Sequence, residues 1–171
     1  MTVNNLKEAA YARGGKYLTF TLGSETYGLE ILKVREIIGA RGVTITAVPQ
    51  LPANARGVMN LRGVVIPIID LRLKFNMAEK EYNRETCIIV LTVGSQLMGI
   101  AVDAVSEVLD IEEGYISPPP PFGASVSTDF ILGMGKVKDK VVLLLDIGCV
   151  LLDISATMGS APSLSGAATS N

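Results

Sequence analysis

The side chains with the most chemical potential in this sequence are carboxylates. Asp70 and Asp146 each follow an apolar run, residues 64–69 and 141–145, while Glu112, Glu113 and Asp129 fall in polar stretches. Acid–base work by paired carboxylates needs two of them converging on one cleft. Asp70 and Asp146 instead occupy matching places in two similar segments, which fits each one tying down its own local backbone. Gly133-Met134-Gly135-Lys136 combines glycines with a lysine, as a phosphate cradle does. It lacks the spacing of a P-loop and the helix that must follow, so a β-turn is the plainer reading. The stretch from Gly57 to Gly63 is flanked by strand-like sequence and offers an anion no helix N-terminus. The chain has no histidine, which removes the commonest general base and metal ligand. Cys87 and Cys149 lie in separate apolar runs without C-x-x-C spacing and read as reduced core thiols. No metal-ligand spacing appears, so neither a catalytic set nor a cofactor is expected.

Composition narrows the partners. The 171 residues are 49% hydrophobic and 19% charged, with a net charge of −2 and 5% aromatics. Nucleic-acid binding needs a basic face, and single-strand binding needs stacking aromatics as well, so neither fits. There is no polybasic anchor for an anionic membrane and no apolar run long enough to span one. Residues 1–13 are polar and unlike a signal peptide, so a cytoplasmic location is expected.

The elements that must position any site are short strands. Residues 17–22 read Y-L-T-F-T-L, Gly23-Ser24 is a turn, and residues 25–31 resume an extended pattern in which Gly28 predicts a bulge or a close backbone approach. The alternation breaks after Ile31, predicting a bend or helical turn at Leu32-Lys33 before another strand. Residues 43–48 read as a strand ended by Pro49. Residues 52–56 read as a helical turn closed by Gly57, and residues 58–61 and 64–71 as strands paired around Arg62-Gly63. After a polar linker at 76–86 the pattern begins again: strand 87–93, turn Gly94-Ser95, strand 97–102 containing Gly99. Gly23, Gly28, Val34 and Glu36 recur 71 positions later as Gly94, Gly99, Val105 and Glu107. Gly57, Val65 and Asp70 recur 76 positions later as Gly133, Val141 and Asp146. The repeat predicts an all-β chain of two small barrels, residues 16–82 and 83–154, with a possible exchange of strands and a seam between them. Residues 1–15 and 155–171 are expected to be disordered.

What remains is surface suited to binding. The segment Ile31-Leu32-Lys33-Val34-Arg35-Glu36-Ile37-Ile38 and its counterpart at 102–109 mix branched apolar residues with charge. Both copies could line the seam and meet a helical partner, or could equally be core. Arg62 stands in a turn that does not require arginine, and its donors suit a partner carboxylate or carbonyl. Phe122 follows four prolines, a stiff segment that would present an aromatic anchor at little entropic cost.

At these residues the sequence resembles the bacterial chemotaxis coupling family, CheW. The resemblance runs from about Tyr17 to Leu152. It is carried by Tyr27-Gly28-Leu29-Glu30-Ile31-Leu32-Lys33-Val34-Arg35-Glu36-Ile37, by Asn60-Leu61-Arg62-Gly63-Val64-Val65-Ile66-Pro67-Ile68-Ile69-Asp70-Leu71-Arg72, and by the segment from Gly99 to Leu109. It implies two five-stranded, SH3-like barrels with short helical turns. It also implies a non-catalytic scaffold that couples the cytoplasmic tips of methyl-accepting chemoreceptors to the regulatory domain of the histidine kinase CheA, recruited to membrane-associated arrays. Receptor binding carries over to Ile31, Val34, Glu36, Arg62, Val102 and Val105, and kinase or ring contacts to Thr44, Ile45, Met59 and Phe122. A receiver-fused coupling protein and an isolated CheA regulatory domain are the nearest rivals. The short tail and Met1 favour a free adaptor over both. A small enzyme is the rival of a different class.

Overall fold

The computed structural model describes residues 14–119 and 128–152. Eleven strands are formed among them: β1 (Gly15–Leu22), β2 (Glu25–Glu30), β3 (Val34–Gly39), β4 (Ala55–Leu61), β5 (Val64–Asp70), β6 (Cys87–Val93), β7 (Gln96–Val102), β8 (Ala104–Ile111), β9 (Ile116–Ser117), β10 (Ile131–Val137) and β11 (Lys140–Leu145). Two single-turn helices, α1 (Leu71–Lys74) and α2 (Ile147–Val150), follow β5 and β11. The strands form two sheets, β8-β1-β2-β11-β10-β9 and β3-β6-β7-β5-β4. The first therefore has a sixth, two-residue strand beyond the five expected.

The sheets do not coincide with the two repeats. The hairpin β1–β2, from the first repeat, sits between β8 and β11 of the second. The matching hairpin β6–β7, from the second repeat, sits between β3 and β5 of the first. Each repeat thus gives its leading hairpin to the other, and the chain crosses between sheets at a 3-10 turn, Ile31–Lys33, and again at Asp103. The inserted hairpins join through parallel pairs, β2 with β11 and β7 with β5. Gly28 lies opposite Leu144 and Gly99 opposite Ile68. A Cβ at Gly99 would stand 2.7 Å from Ile68 Cδ1, so these glycines mark close approach rather than bulges.

The exchange buries both faces of the central strands. Val142 and Leu144 join Tyr17 and Ile111 inside the first barrel, and Ile66, Ile68, Ile88 and Val90 fill the second. The opposite faces supply a third cluster shared by both sheets, including Phe20, Tyr27, Leu29, Ile89, Leu91, Ile100, Leu143 and Leu145. This two-sided burial explains the unbroken apolar runs. The register is duplicated down to its irregularities. The bulge that separates Val34 from Glu36 against β6 recurs between Leu18 and Phe20 where β1 meets β8. The bulge at Gly57 recurs at Gly133.

Three local expectations are corrected. Residues 43–48 form one isolated bridge, Thr46 to Val58, not a strand. Gly57 does not close a helical turn but sits inside β4 at φ +144°, where a Cβ would strike the Thr46 carbonyl. Cys149 is exposed and Cys87 is half-buried against the shared cluster, so neither is a fully buried core thiol.

The polar link between the sheets is Asp103. Its carboxylate accepts two hydrogen bonds from Arg72, both 2.7 Å, and one of 2.8 Å from the Gly23 N–H. One side chain thereby joins α1, the β1–β2 turn and the crossover from β7 to β8. Burial works against the Asp103 charge, but the bonds from Arg72 and Gly23 outweigh it and hold the carboxyl below the ordinary value of 3.8. A carboxylate depressed in the folded state stabilises the fold above its unfolded pKa and loses that contribution as pH falls through the folded value. Asp103→Ala is expected to cost about 3 kcal/mol by urea unfolding at neutral pH, the scale of a broken, mostly buried ion pair. The gap to the parent should close as the pH drops below 3.8. A gap that persists unchanged into acid would refute this role.

Candidate functional site

The two conspicuous aspartates serve structure. Asp70 caps α1, accepting from the N–H groups of Arg72 at 3.0 Å and Leu73 at 3.4 Å, and Asp146 caps α2 through Cys149 N–H at 3.2 Å. Asp70 also accepts from Arg56 Nε at 3.2 Å and from the Tyr82 hydroxyl at 3.0 Å. Burial and the Asp70 charge push the Tyr82 hydroxyl up to about 12. Every Asp70 oxygen is occupied, and no group of three or more potential metal ligands occurs among the described residues.

The site that does assemble lies at one rim of the second barrel. Its sheet is open between the edge strands β3 and β4. Arg62, in the β4–β5 turn, reaches across this opening to Glu36 on β3 with a two-pronged ion pair, Nη1 to Oε1 at 2.9 Å and Nη2 to Oε2 at 2.7 Å. Arg62 is held at φ +51°, and the Asn60 side-chain oxygen accepts the Gly63 N–H at 2.7 Å to fix the turn. The expected carboxylate for Arg62 is thus found within the chain. The pair stays accessible, with Arg62 71% and Glu36 31% exposed. Next to Glu36, Arg35 donates to Thr92 Oγ1 at 2.8 Å, tying β3 to the end of β6.

Other expected residues divide by burial. Ile31, Val34 and Val105 are partly buried on the shared core and flank the seam where the chain crosses. Val102 is 2% exposed and belongs to that core, so it cannot touch a partner directly. Met59 is 3% exposed, inside the second barrel, and is excluded as a contact for the same reason. Thr44 is exposed. Ile45 is half-buried and lines a cavity of about 480 Å³ with Ala40, Val43, Arg56 and Tyr82, beside the edge strand β4. Phe122 lies outside the described residues. Among the residues left unassigned within a segment read as binding surface is Leu32, 94% exposed in the 3-10 turn at the crossover. Its signal was available in the repeat, because the position equivalent to Leu32 is Asp103. An apolar residue standing where the other copy carries a charge has no shared structural duty.

Two SH3-like barrels with reciprocally exchanged hairpins, a salt-bridged rim and accessible edges define an interaction scaffold. Residues 16–154 match the model of the CheW-like domain. The chain is 43% identical over 141 residues to the chemotaxis protein CheW of Klebsiella aerogenes, covering 82% of this chain and 84% of that one. It is 33% identical over 136 residues to the CheW of Helicobacter pylori, covering 80% and 81%. The crystal structure of the scaffolding protein TtCheW from Thermoanaerobacter tengcongensis superposes with a TM-score of 0.75 at 35% identity, over 81% of this chain and 93% of that one. The chain belongs to the CheW family and is a non-catalytic chemotaxis coupling adaptor.

The bonds to Arg62 hold the Glu36 carboxyl below its ordinary value of 4.5, against a smaller opposing effect of burial. Titration of Glu36 by carbon-detected NMR should show the lowered value in the parent and a return upward in Arg62→Ala. Added salt should reduce the difference, since the pair is accessible to solvent. Identical titration curves for the two proteins would show that the pair does not persist in solution.

Proposed function

We propose that this adaptor couples the cytoplasmic tips of methyl-accepting chemoreceptors to the regulatory domain of the histidine kinase CheA, within membrane-associated arrays. The receptor tip, a helical hairpin, lies along the seam against Ile31, Leu32, Val34 and Val105, with Glu36 and Arg62 at its polar margin. The observation that carries this reading is an exposed leucine at the crossover, beside an accessible ion pair already locked in place. A preorganised pair loses little side-chain freedom when a partner arrives. The kinase domain meets the opposite margin, where Thr44 and Ile45 stand beside the β4 edge. Phe122 supplies a separate contact that closes rings. Two contacts per adaptor turn modest affinities into a stable lattice through effective concentration. Signal passes as shifts between contact geometries rather than through chemistry.

Separate pull-downs with a soluble receptor-tip fragment and with the kinase regulatory domain test the assignment. Leu32→Ser, and Glu36→Ala combined with Arg62→Ala, should each weaken receptor capture about tenfold or more, as loss of an interface anchor does, while kinase capture is unchanged. Ile45→Asp should show the reverse selectivity. Undiminished receptor capture by the folded Glu36/Arg62 double variant would reject the rim. For Phe122→Ser, receptor capture should persist while arrays seen by cryo-tomography lose their closed rings. Normal arrays would remove Phe122 from the assignment.

A further inference from the structure

Residues 43–46 stand where the other copy has residues 114–117, and the two segments are held differently. In the first barrel Ile116 and Ser117 form β9 and pair with Gly135 and Met134 of β10. In the second, Thr46 makes a single bridge to Val58, the counterpart of Met134. Ile45, the counterpart of Ile116, lies outside any strand. A segment joined to its barrel by one bridge depends for its position on what packs around it.

What packs there is the linker between the repeats. Tyr82 rests on the same interior cluster as Val43 and Ile45, and all three line the cavity of about 480 Å³. Tyr82 is fixed from two directions. Its hydroxyl donates to the buried Asp70 at 3.0 Å, and the Arg56 guanidinium stands 5.3 Å from the centre of its ring. Arg56 is held in turn by Asp70 at 3.2 Å and by Glu79 at 2.7 Å. One residue earlier, the Ala78 carbonyl accepts from Arg72 Nη1 at 3.0 Å. At the far end the Thr86 carbonyl accepts from the N–H of Ala40, three residues before Val43, at 2.9 Å. A polar stretch without helix or strand is thus pinned to α1, to β4 and to the turn that leads into residues 43–46. In the first barrel Leu132 stands in the place of Arg56, so that barrel cannot repeat the arrangement. One copy holds this segment with a second ladder pair, the other with an arginine, a tyrosine and a buried carboxylate.

We propose that Tyr82 and Arg56 are positioning residues for the kinase margin: the linker is a strap that holds Thr44 and Ile45 in their binding geometry and acts through them rather than by touching the kinase. This rests on the reading of Thr44 and Ile45 as kinase contacts. A segment already held in place loses little conformational freedom when a partner arrives. Releasing the strap therefore weakens kinase binding and leaves the receptor rim, on the other margin, as it was.

The test uses the full chain carrying Tyr82→Ala, Tyr82→Phe or Glu79→Gln. Affinities are measured separately for the kinase regulatory domain and for a soluble receptor-tip fragment, and hydrogen exchange is followed at the Thr46 amide, which donates to the Val58 carbonyl at 2.8 Å. Tyr82→Ala should lower kinase affinity about tenfold, the scale of one net hydrogen bond, speed exchange at Thr46 and leave receptor affinity unchanged. Tyr82→Phe keeps the ring beside Arg56 and should recover most of the loss. Glu79 is 61% exposed. Glu79→Gln should cost about threefold, the scale of an accessible ion pair, and serves if Tyr82→Ala does not fold. In a chain already carrying Ile45→Asp, Tyr82→Ala should cost nothing further, because its effect passes through Ile45. Additive losses would place Tyr82 against the kinase itself and overturn the positioning role, as would a fall in affinity with Thr46 exchange unchanged. If Ile45→Asp weakens kinase binding but Tyr82→Ala and Glu79→Gln do not, the strap fails while the kinase reading stands. If Ile45→Asp leaves kinase binding intact, both fall.

Discussion

Everything in this molecule hangs on the reciprocal exchange of two hairpins. A unit of this size is close to the lower limit for independent folding, because a small barrel cannot remove enough apolar surface from water. Exchange relieves this by giving the middle strands of each sheet two apolar neighbours, the interior of their own barrel and the core shared between barrels. Neither sheet is complete without a hairpin from the other half of the chain. The barrels cannot part without breaking two parallel junctions and the bonds of Asp103. For an adaptor this is the useful property: surfaces on different barrels keep a set relation to one another.

Much of this was legible in the sequence, and the failures have physical causes. The strand ends, the bend at Leu32-Lys33, the close approach of Gly28 and Gly99, and the backbone-tying roles of Asp70 and Asp146 follow from turn chemistry and from the repeat. Which hairpin pairs with which half does not, since alternation reports that a strand has neighbours without naming them. Met59 lies on the edge strand β4, where alternation does set it apart from the exposed Asn60, whereas the burial of Val102 was hidden for a related reason. Strands buried on both faces carry no polar face to mark inside from outside. Residues 43–48 carry strand-like composition but meet β4 only at Thr46, which exchanges bonds with Val58. Of the rim, Arg62 and Glu36 were both visible, but their bond was not. It spans 26 residues and depends on the curl of the sheet.

That bond changes what the rim offers. An unpaired arginine on a turn would give a partner a strong but mobile charge. Here both prongs of the guanidinium are engaged by Glu36, on a turn already set by Asn60 and Gly63. The rim presents a nearly neutral, ordered polar patch with apolar ground beside it. Such a patch favours fit over charge attraction and is weakly sensitive to the net charge of what approaches.

The repeat also separates what holds the fold from what serves binding. Positions that build the barrels match between the copies: Gly28 with Gly99, Gly57 with Gly133, Asp70 with Asp146, and both bulges. Several positions at the second barrel's rim do not. Leu32 answers to the clasping Asp103, Arg62 to Lys138, and Pro67 to Leu143. The contrast is sharpest at the turn, where Lys138 and Glu107 occupy the places of Arg62 and Glu36, and no ion pair between them occurs among the described residues. The departures include an exposed leucine and a closed ion pair, Arg62 to Glu36, and neither has a counterpart in the other copy.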